Sequence, residues 1–317
     1  MPVVPATPEN LDRAAALLQS GAVVAFPTET VYGLGANAFD CNAVARIFEI
    51  KARPQFDPLI VHVYDEAMLE CVAAEVSPLG RSLIEAFWPG PLTLVFRKRD
   101  AVPDLVTAGL ATVAVRMPAH PVARALIERA GTPLAAPSAN PFGRLSPTRA
   151  GHVEQLLGDR VDLILDGGPA EFGIESTIVL LEPRPVLLRP GAVPAEAVEA
   201  IAGPLVREIP GEAAPLAPGR LPQHYAPRVP IRVIEPNAVP MTERADAALL
   251  AFREAAPGYR ITRVLSPAGD LREAAAHLFD YLHELDASGV ARIDAQPLPE
   301  QGLGAAIMDR LNRARHD

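Results

Sequence analysis

Apolar residues recur at helical spacing through Leu11, Ala15 and Leu18, between Thr7-Pro8 and Gly21. A hydroxyl cap, a proline in the first turn and a closing glycine mark the ends of a helix. Residues 22–26 are then continuously apolar, the pattern of a strand buried on both faces. Residues 27–38, which include Gly33 and Gly35, read as a loop, and Asp40 caps a second helix that ends at Lys51. Strand patterns follow at 59–63, 92–96, 112–116, 134–136, 163–165, 176–181 and 186–189, with helical patterns at 65–75, 78–87, 121–130 and 148–157. Strands alternating with helices predict a layered α/β domain.

Periodicity fails over 206–230, a stretch dense in Pro and Gly. Proline fixes φ and withholds an N–H, so this segment reads as an extended, semi-rigid linker. Beyond it, strands at 231–234, 261–265 and 290–293 and helices at 242–254, 271–287 and 301–315 predict a smaller Rossmann-like α/β domain. The predicted organisation is a large domain over 1–205, a linker over 206–230 and a small domain over 231–317.

Composition narrows the function classes. A length of 317 residues fits two domains. No window approaches a membrane span, and the first ten residues lack a basic start and an apolar run, so no membrane segment or secretion signal is expected. Cys41 and Cys71 are the only cysteines, which points to a reduced, cytoplasmic setting without a disulfide framework. A net charge of -9 argues against gripping nucleic acid by general electrostatics but leaves room for a local basic pocket. Lys51 and Lys98 are the only lysines in an otherwise arginine-based set of cations.

Five segments carry candidate chemistry. Pro27, Thr28, Glu29, Thr30, Val31, Tyr32 and Gly33 end a buried strand with two hydroxyls, a carboxylate and a phenol; the same residues suit an ordinary capped turn. Lys51 and Arg53 close a helix and could face phosphates, or merely complement the helix dipole. His62, on the strand that follows, reads on spacing alone more readily as a satisfied histidine of a half-buried strand than as a catalytic one. Thr112, Ala114 and Arg116 share one strand face. A buried Arg there needs an anionic partner, either a ligand carboxylate or an internal Asp or Glu. Ala136, Pro137, Ser138 and Asn140, then Ser146, form a polar turn at a strand end, where open α/β sheets place ligands. Glu175, Ser176 and Thr177, with Arg189 one strand later, make the fifth. There is no zinc or calcium spacing, no Walker motif and no Gly-x-Gly-x-x-Gly after a strand.

Taken in order, PTETVYGLG, KARP…DPLIVHV, VAVRMP, APSAN, ESTI, RPG and PGRLPQHYAP resemble the YrdC-type threonylcarbamoyl-adenylate synthases in their two-domain form, over nearly the whole chain. The resemblance implies a large twisted-sheet domain with a concave, positive cleft, a linker crossing its mouth and a supporting small domain. It implies a nucleotidyltransferase that joins L-threonine, bicarbonate or CO2, and ATP, releasing diphosphate and water. Magnesium would travel with ATP, held mainly by its phosphates, with no redox cofactor and no zinc. A separate transferase complex would pass the product's threonylcarbamoyl group to the adenosine beside a tRNA anticodon; direct contact with tRNA would be weak at most.

By similarity, the amino-acid pocket would comprise Thr30, His62, Arg116, Ala136 and Ser176, with Arg116 pairing the threonine carboxylate. The nucleotide site would comprise Lys51, Arg53, Asp57, Thr112, Ser138, Asn140, Ser146, Arg189 and Tyr225. A lid over 217–227 would shield the adenylate from water. No protein nucleophile is expected. Asp57 departs from the family's usual Asn, and Arg220 from its usual Met, which bears on the nucleotide site. Related domains that make carbamoyl-adenylate from carbamoyl phosphate are one alternative, although this chain lacks their accompanying modules. A non-catalytic RNA-binding module is the other, and the acidic balance speaks against it.

Overall fold

The computed structural model describes residues 3–207 and 224–315. Its first unit runs β1 (Val3–Pro5), α1 (Pro8–Gln19), β2 (Val24–Phe26), β3 (Gly33–Asn37), α2 (Cys41–Lys51), β4 (Ile60–His62), α3 (Glu66–Val72), α4 (Pro78–Phe87), β5 (Leu92–Arg97), α5 (Asp104–Thr107), β6 (Thr112–Arg116), α6 (Pro121–Ala130), β7 (Leu134–Ala135), α7 (Ala150–Leu157), β8 (Leu163–Asp166), β9 (Thr177–Leu180), β10 (Val186–Arg189) and α8 (Ala195–Ala202). Local signals set several helix starts: the Thr7 hydroxyl accepts from the Asn10 N–H at 3.3 Å, and the Asp40 carboxylate accepts from Asn42 at 2.9 Å and Ala43 at 3.2 Å. The short β1, α5 and α8 had no counterpart in the sequence reading.

These strands form one mixed sheet in the order β1-β8-β2-β3-β7-β4-β6-β5-β9-β10. Alternation along each strand divides its side chains between two faces. Val61, Leu94, Val115 and Val179 join a core with α2, α4 and α8 on one face. On the other, α1 and α6 cover Val24, Phe26, Leu163 and Leu165. The remainder of that second face, around Ile60, Val95, Ala114, Ile178 and Leu188, is an apolar strip made of strand residues alone. The functional cavity lies at the edge of this strip.

Residues 27–38 are not all loop, because β3 pairs antiparallel with β2, Val24 opposite Gly35 and Phe26 opposite Gly33. Glycines weaken the strand signal in sequence. Here they make room for a ring: a Cβ on Gly35 would lie 2.6 Å from Cε1 of Phe26.

The second unit comprises β11 (Ile231–Val233), β12 (Ala247–Ala251), β13 (Ile261–Val264), α9 (Leu271–Asp286), β14 (Arg292–Ala295) and α10 (Leu303–Ala314). Its strands form a four-stranded sheet, parallel throughout, in the order β11-β14-β12-β13. The helix expected over 242–254 is instead the strand β12. Its Ala-Ala-Leu-Leu-Ala sequence favours a helix by intrinsic propensity, but it lies between two strands and is buried on both faces.

The two units share a core in which Val31, Leu145, Ile174 and Ala192 meet Tyr225 and Phe279. Gly173 lets α9 approach closely: at φ +67°, a Cβ there would sit 2.5 Å from the Ala275 and Ala276 carbonyls. Arg149 holds Asp280 through two hydrogen bonds of 2.7 and 2.9 Å, and His283 Nε2 lies 3.0 Å from the Ser146 carbonyl. Most of the expected linker and lid, including Arg220, lies outside the described residues. The end of the linker docks by backbone bonds, His224 N–H to Arg313 O at 3.1 Å and Ala226 N–H to Gly143 O at 2.8 Å. Among the described residues no helix is long and apolar enough to cross a membrane.

Candidate active site

Parallel pairing of β4 with β6 sets His62 beside Arg116 at the strands' C-terminal ends. The β2–β3 turn adds Thr28 and Thr30, the segment after β7 adds Ala136 and Ser138, the start of β9 adds Ser176, and the end of β10 adds Arg189. With Arg53, Glu175, His224 and Tyr225, they line one cavity, partly open to solvent.

One end has the chemistry of a zwitterion site. Arg116 is buried; its Nη2 pairs with Glu29 at 2.6 Å, its Nη1 donates to Thr30 Oγ1 at 2.8 Å, and its Nε donates to the Gly90 carbonyl at 3.3 Å. Thr28 donates its hydroxyl hydrogen to the Val31 carbonyl at 2.6 Å. The 2.8 Å Thr28–Thr30 bond must therefore use the hydrogen of Thr30. Thr30 Oγ1 already accepts from Arg116 Nη1, so one lone pair is left to accept from a ligand's N–H beside the guanidinium. Burial, helped by the Arg116 cation, lowers the His62 pKa from 6.5 to about 3. His62 therefore stays neutral near pH 7, and its Nδ1 is buried without a partner. Ser176 Oγ lies 2.7 Å from Thr93 Oγ1 and accepts from Arg189 Nη2 at 3.2 Å.

The other end is cationic. His224 is surrounded by Arg53, Lys51, Arg189 and Arg310; burial and these cations together push its pKa far down. The buried carboxylates there are taken: Asp57 pairs with Arg53 at 2.9 Å, and Glu175 pairs with Arg310 at 3.0 Å. Burial raises the Asp57 pKa, against the opposing pull of Arg53. The acid that stands in place of the family's Asn is thus an internal partner for Arg53. Tyr225 holds a left-handed backbone at φ +64°, and burial pushes its phenol up to about 12.

All five expected amino-acid residues line the cavity, as do Arg53, Ser138, Arg189 and Tyr225. Lys51 does not. Its ammonium is buried behind the wall, donating to the carbonyls of Ser138 at 2.6 Å and Asn140 at 2.5 Å. Burial, with Arg53 nearby, pushes its pKa well down, and these oxygens offset part of the cost of burying the charge. Asn140 braces the same turn through the Arg144 carbonyl at 2.8 Å, while Ser146 donates to Glu175 Oε1 at 2.5 Å. Thr112 is set apart, four residues back along β6 from Arg116, roughly 13 Å at strand rise. It lines a separate hollow with Val95 and Leu180. Sequence reasoning did not assign Glu29, Glu175, His224 or Arg310. The first three lie inside motifs already singled out, whereas Arg310 carried no signal.

Gly191 locks two of these walls together, because a Cβ on it would lie 2.4 Å from the Glu175 carbonyl oxygen and the Thr177 nitrogen. Gly191→Ala is expected to cost about 3 kcal/mol, by the measure of other overpacked sites, and to lower turnover. Thermal unfolding and turnover, measured together, check this; an unchanged Tm would show that the loops can part freely.

A mixed α/β sheet thus carries at its strand ends a cavity that is cationic at one end and holds a buried Arg beside hydroxyls at the other. The Sua5/YciO/YrdC family model, described as telomere recombination, matches residues 16–191, and the model of the threonylcarbamoyl-AMP synthase C-terminal domain matches 193–315. The chain belongs to the Sua5/YciO/YrdC family, in the form with the added C-terminal domain, and so stands among nucleotidyl-transferring enzymes. It is 43% identical to the threonylcarbamoyl-AMP synthase of Pyrococcus abyssi, over 95% of this chain and 92% of that one. It is also 43% identical to the Bacillus subtilis threonylcarbamoyl-AMP synthase, over 96% and 92%. The crystal structure of P. abyssi Sua5 complexed with L-threonine superposes with a TM-score of 0.89 at 41% identity, covering 96% of this chain and 94% of that one. E. coli YciO, at 26% identity and a TM-score of 0.52, covers 60% of this chain and 93% of its own.

Proposed function

We propose that the cavity joins L-threonine, bicarbonate and ATP into threonylcarbamoyl-AMP, with release of diphosphate and water. The observation that carries this reading is the meeting, in one cavity, of the Thr30–Arg116 grip and a cluster of cations around Arg53 and Arg189. Arg116 holds the threonine carboxylate, Thr30 Oγ1 accepts from the amine, and neutral His62 and Ala136 shape the space around the side chain. The threonine ammonium gives one proton to bicarbonate, which splits into CO2 and water; the freed amine adds to the CO2 carbon and loses a second proton to solvent, forming an N-carboxylate. A carboxylate oxygen then attacks the α-phosphorus in line, and the bond to the diphosphate oxygen breaks. Positioning and charge stabilisation carry such a transfer. Arg53 and Arg189 offset the charge on the departing diphosphate, and Tyr225 closes that end. Magnesium would ride on the ATP phosphates; Asp57 and Glu175 are both engaged elsewhere, and no step is assigned to the metal. The product is a donor suited to a transferase acting on tRNA adenosine beside the anticodon. Division of the chain at 1–205, 206–230 and 231–317 belongs to the same reading.

The purified chain is expected to release diphosphate from ATP only when L-threonine and bicarbonate are both present. A coupled diphosphate assay checks this. Release with carbamoyl phosphate in place of both would favour a carbamoyl-adenylate enzyme, and tight, salt-sensitive RNA binding without release would favour a binding module.

A further inference from the structure

Arg310 belongs to α10 of the second unit, yet its side chain is fully buried against the first. Its Nε donates to Glu175 Oε2 at 3.0 Å, its Nη1 donates to the Pro190 carbonyl at 2.5 Å, and its guanidinium carbon lies 5.4 Å from the centre of the Tyr225 ring. Glu175 lines the cavity, takes the Ser146 hydroxyl on its other oxygen and directly precedes Ser176. One cation thus touches the carboxylate, the strand end and the ring that together bound the cationic end. Asp309 shares it, at 3.1 Å.

We infer that Arg310 is a positioning residue for the nucleotide end of the cavity, so that the second unit helps to build that end and is more than a support. The inference rests on the ATP-dependent reading above. A merely adhesive tie needs no burial; Arg149–Asp280 joins the same two units through an arginine side chain 52% exposed. Without Arg310, burial favours a protonated Glu175, an outcome that Arg310 and Arg189 now oppose. The Ser146–Glu175–Ser176 wall and the Tyr225 ring then lose their common anchor.

Steady-state diphosphate release by the full chain tests this, with ATP and threonine varied separately. Arg310→Met is expected to raise the ATP KM about tenfold, in line with loss of a charged hydrogen bond, with a smaller change for threonine. Arg310→Lys should recover part of that loss, since the charge returns but not the fork. Arg149→Ala should leave both constants within about twofold, as for other exposed pairs. Should Arg310→Met fail to fold, Glu175→Gln/Arg310→Met, which leaves no unpaired charge, takes its place with the same raised ATP KM expected. Wild-type constants in whichever of these two variants folds, or an equal shift from Arg149→Ala, would overturn the inference. A wild-type chain that releases no diphosphate would overturn the underlying reading and this inference with it.

Discussion

Arg116→Ala is expected to raise the threonine KM by roughly 10²–10⁴-fold, because truncating one member of a desolvated charge pair costs about 3–5 kcal/mol. The ATP KM should move far less, since Arg53 and Arg189 keep their own partners. Steady-state kinetics with each substrate varied in turn measures both, and equal losses would remove Arg116 from the carboxylate. The variant also carries a pH signature. Burial acts to raise the Glu29 pKa, and the Arg116 pairing outweighs it, so that the value is held below 4.5. A depressed carboxylate adds stability above its unfolded pKa, lost as the pH falls through the folded one. In Arg116→Ala burial is opposed only by the backbone hydrogen bonds of Glu29 and Ala119, and the pKa is expected to rise. The stability deficit of the variant is then largest near neutral pH and shrinks toward pH 4. Denaturant unfolding from pH 7 to 4 reads this directly, and a constant deficit would mean that Glu29 had found another cation.

The second large effect concerns Lys51. Lys51→Met keeps the stem and removes the amine, leaving the Asn140 carbonyl without that donor, at about 1–3 kcal/mol, and the Ser138 carbonyl with only the Asn140 N–H. A loss of about 3 kcal/mol in stability, together with a turnover reduced roughly 100-fold, is expected as the turn bearing Ser138 relaxes. Lys51→Arg should not rescue it, because a planar fork does not fit a pocket shaped for a point charge. Unfolding curves beside ATP kinetics separate two roles. A weakened ATP KM with unchanged stability would place the ammonium on the phosphates, as its motif had led one to expect. Loss of both places it in the wall.

How far the sequence carries depends on the range of the forces involved. Thr7 and Asp40 announce their helices because a cap acts within three residues. Arg116 is recognisable as a buried cation because strand alternation puts it on the same side as Ala114. Its partner Glu29 is not, since nothing in either segment states that the β2–β3 turn will reach the end of β6 across the two strands that separate them in the sheet. Lys51 shows the same limit. Its position was evident, but its backbone acceptors, 87 and 89 residues away, exist only in the folded chain. The two misread elements failed for opposite reasons. In β3, glycines hid a strand whose purpose is to admit the Phe26 ring; in β12, helix-favouring residues were overruled by a central place in a parallel sheet. Motif order, by contrast, assembled the cavity well, because nearly every segment ends at the same edge of one sheet.

The Glu175–Arg310 pair spans 135 residues, and this separation imposes a sequence of events at the ribosome. At about 5–20 residues per second, α10 is made roughly 7–27 s after the β9 edge has emerged. Through that interval a nascent chain can hold its large sheet complete while the far wall of the cavity waits for its counter-ion. On the proposed role of Arg310, competence to bind nucleotide would come late in synthesis, and a chain ending before α10 would lack the counter-ion of Glu175.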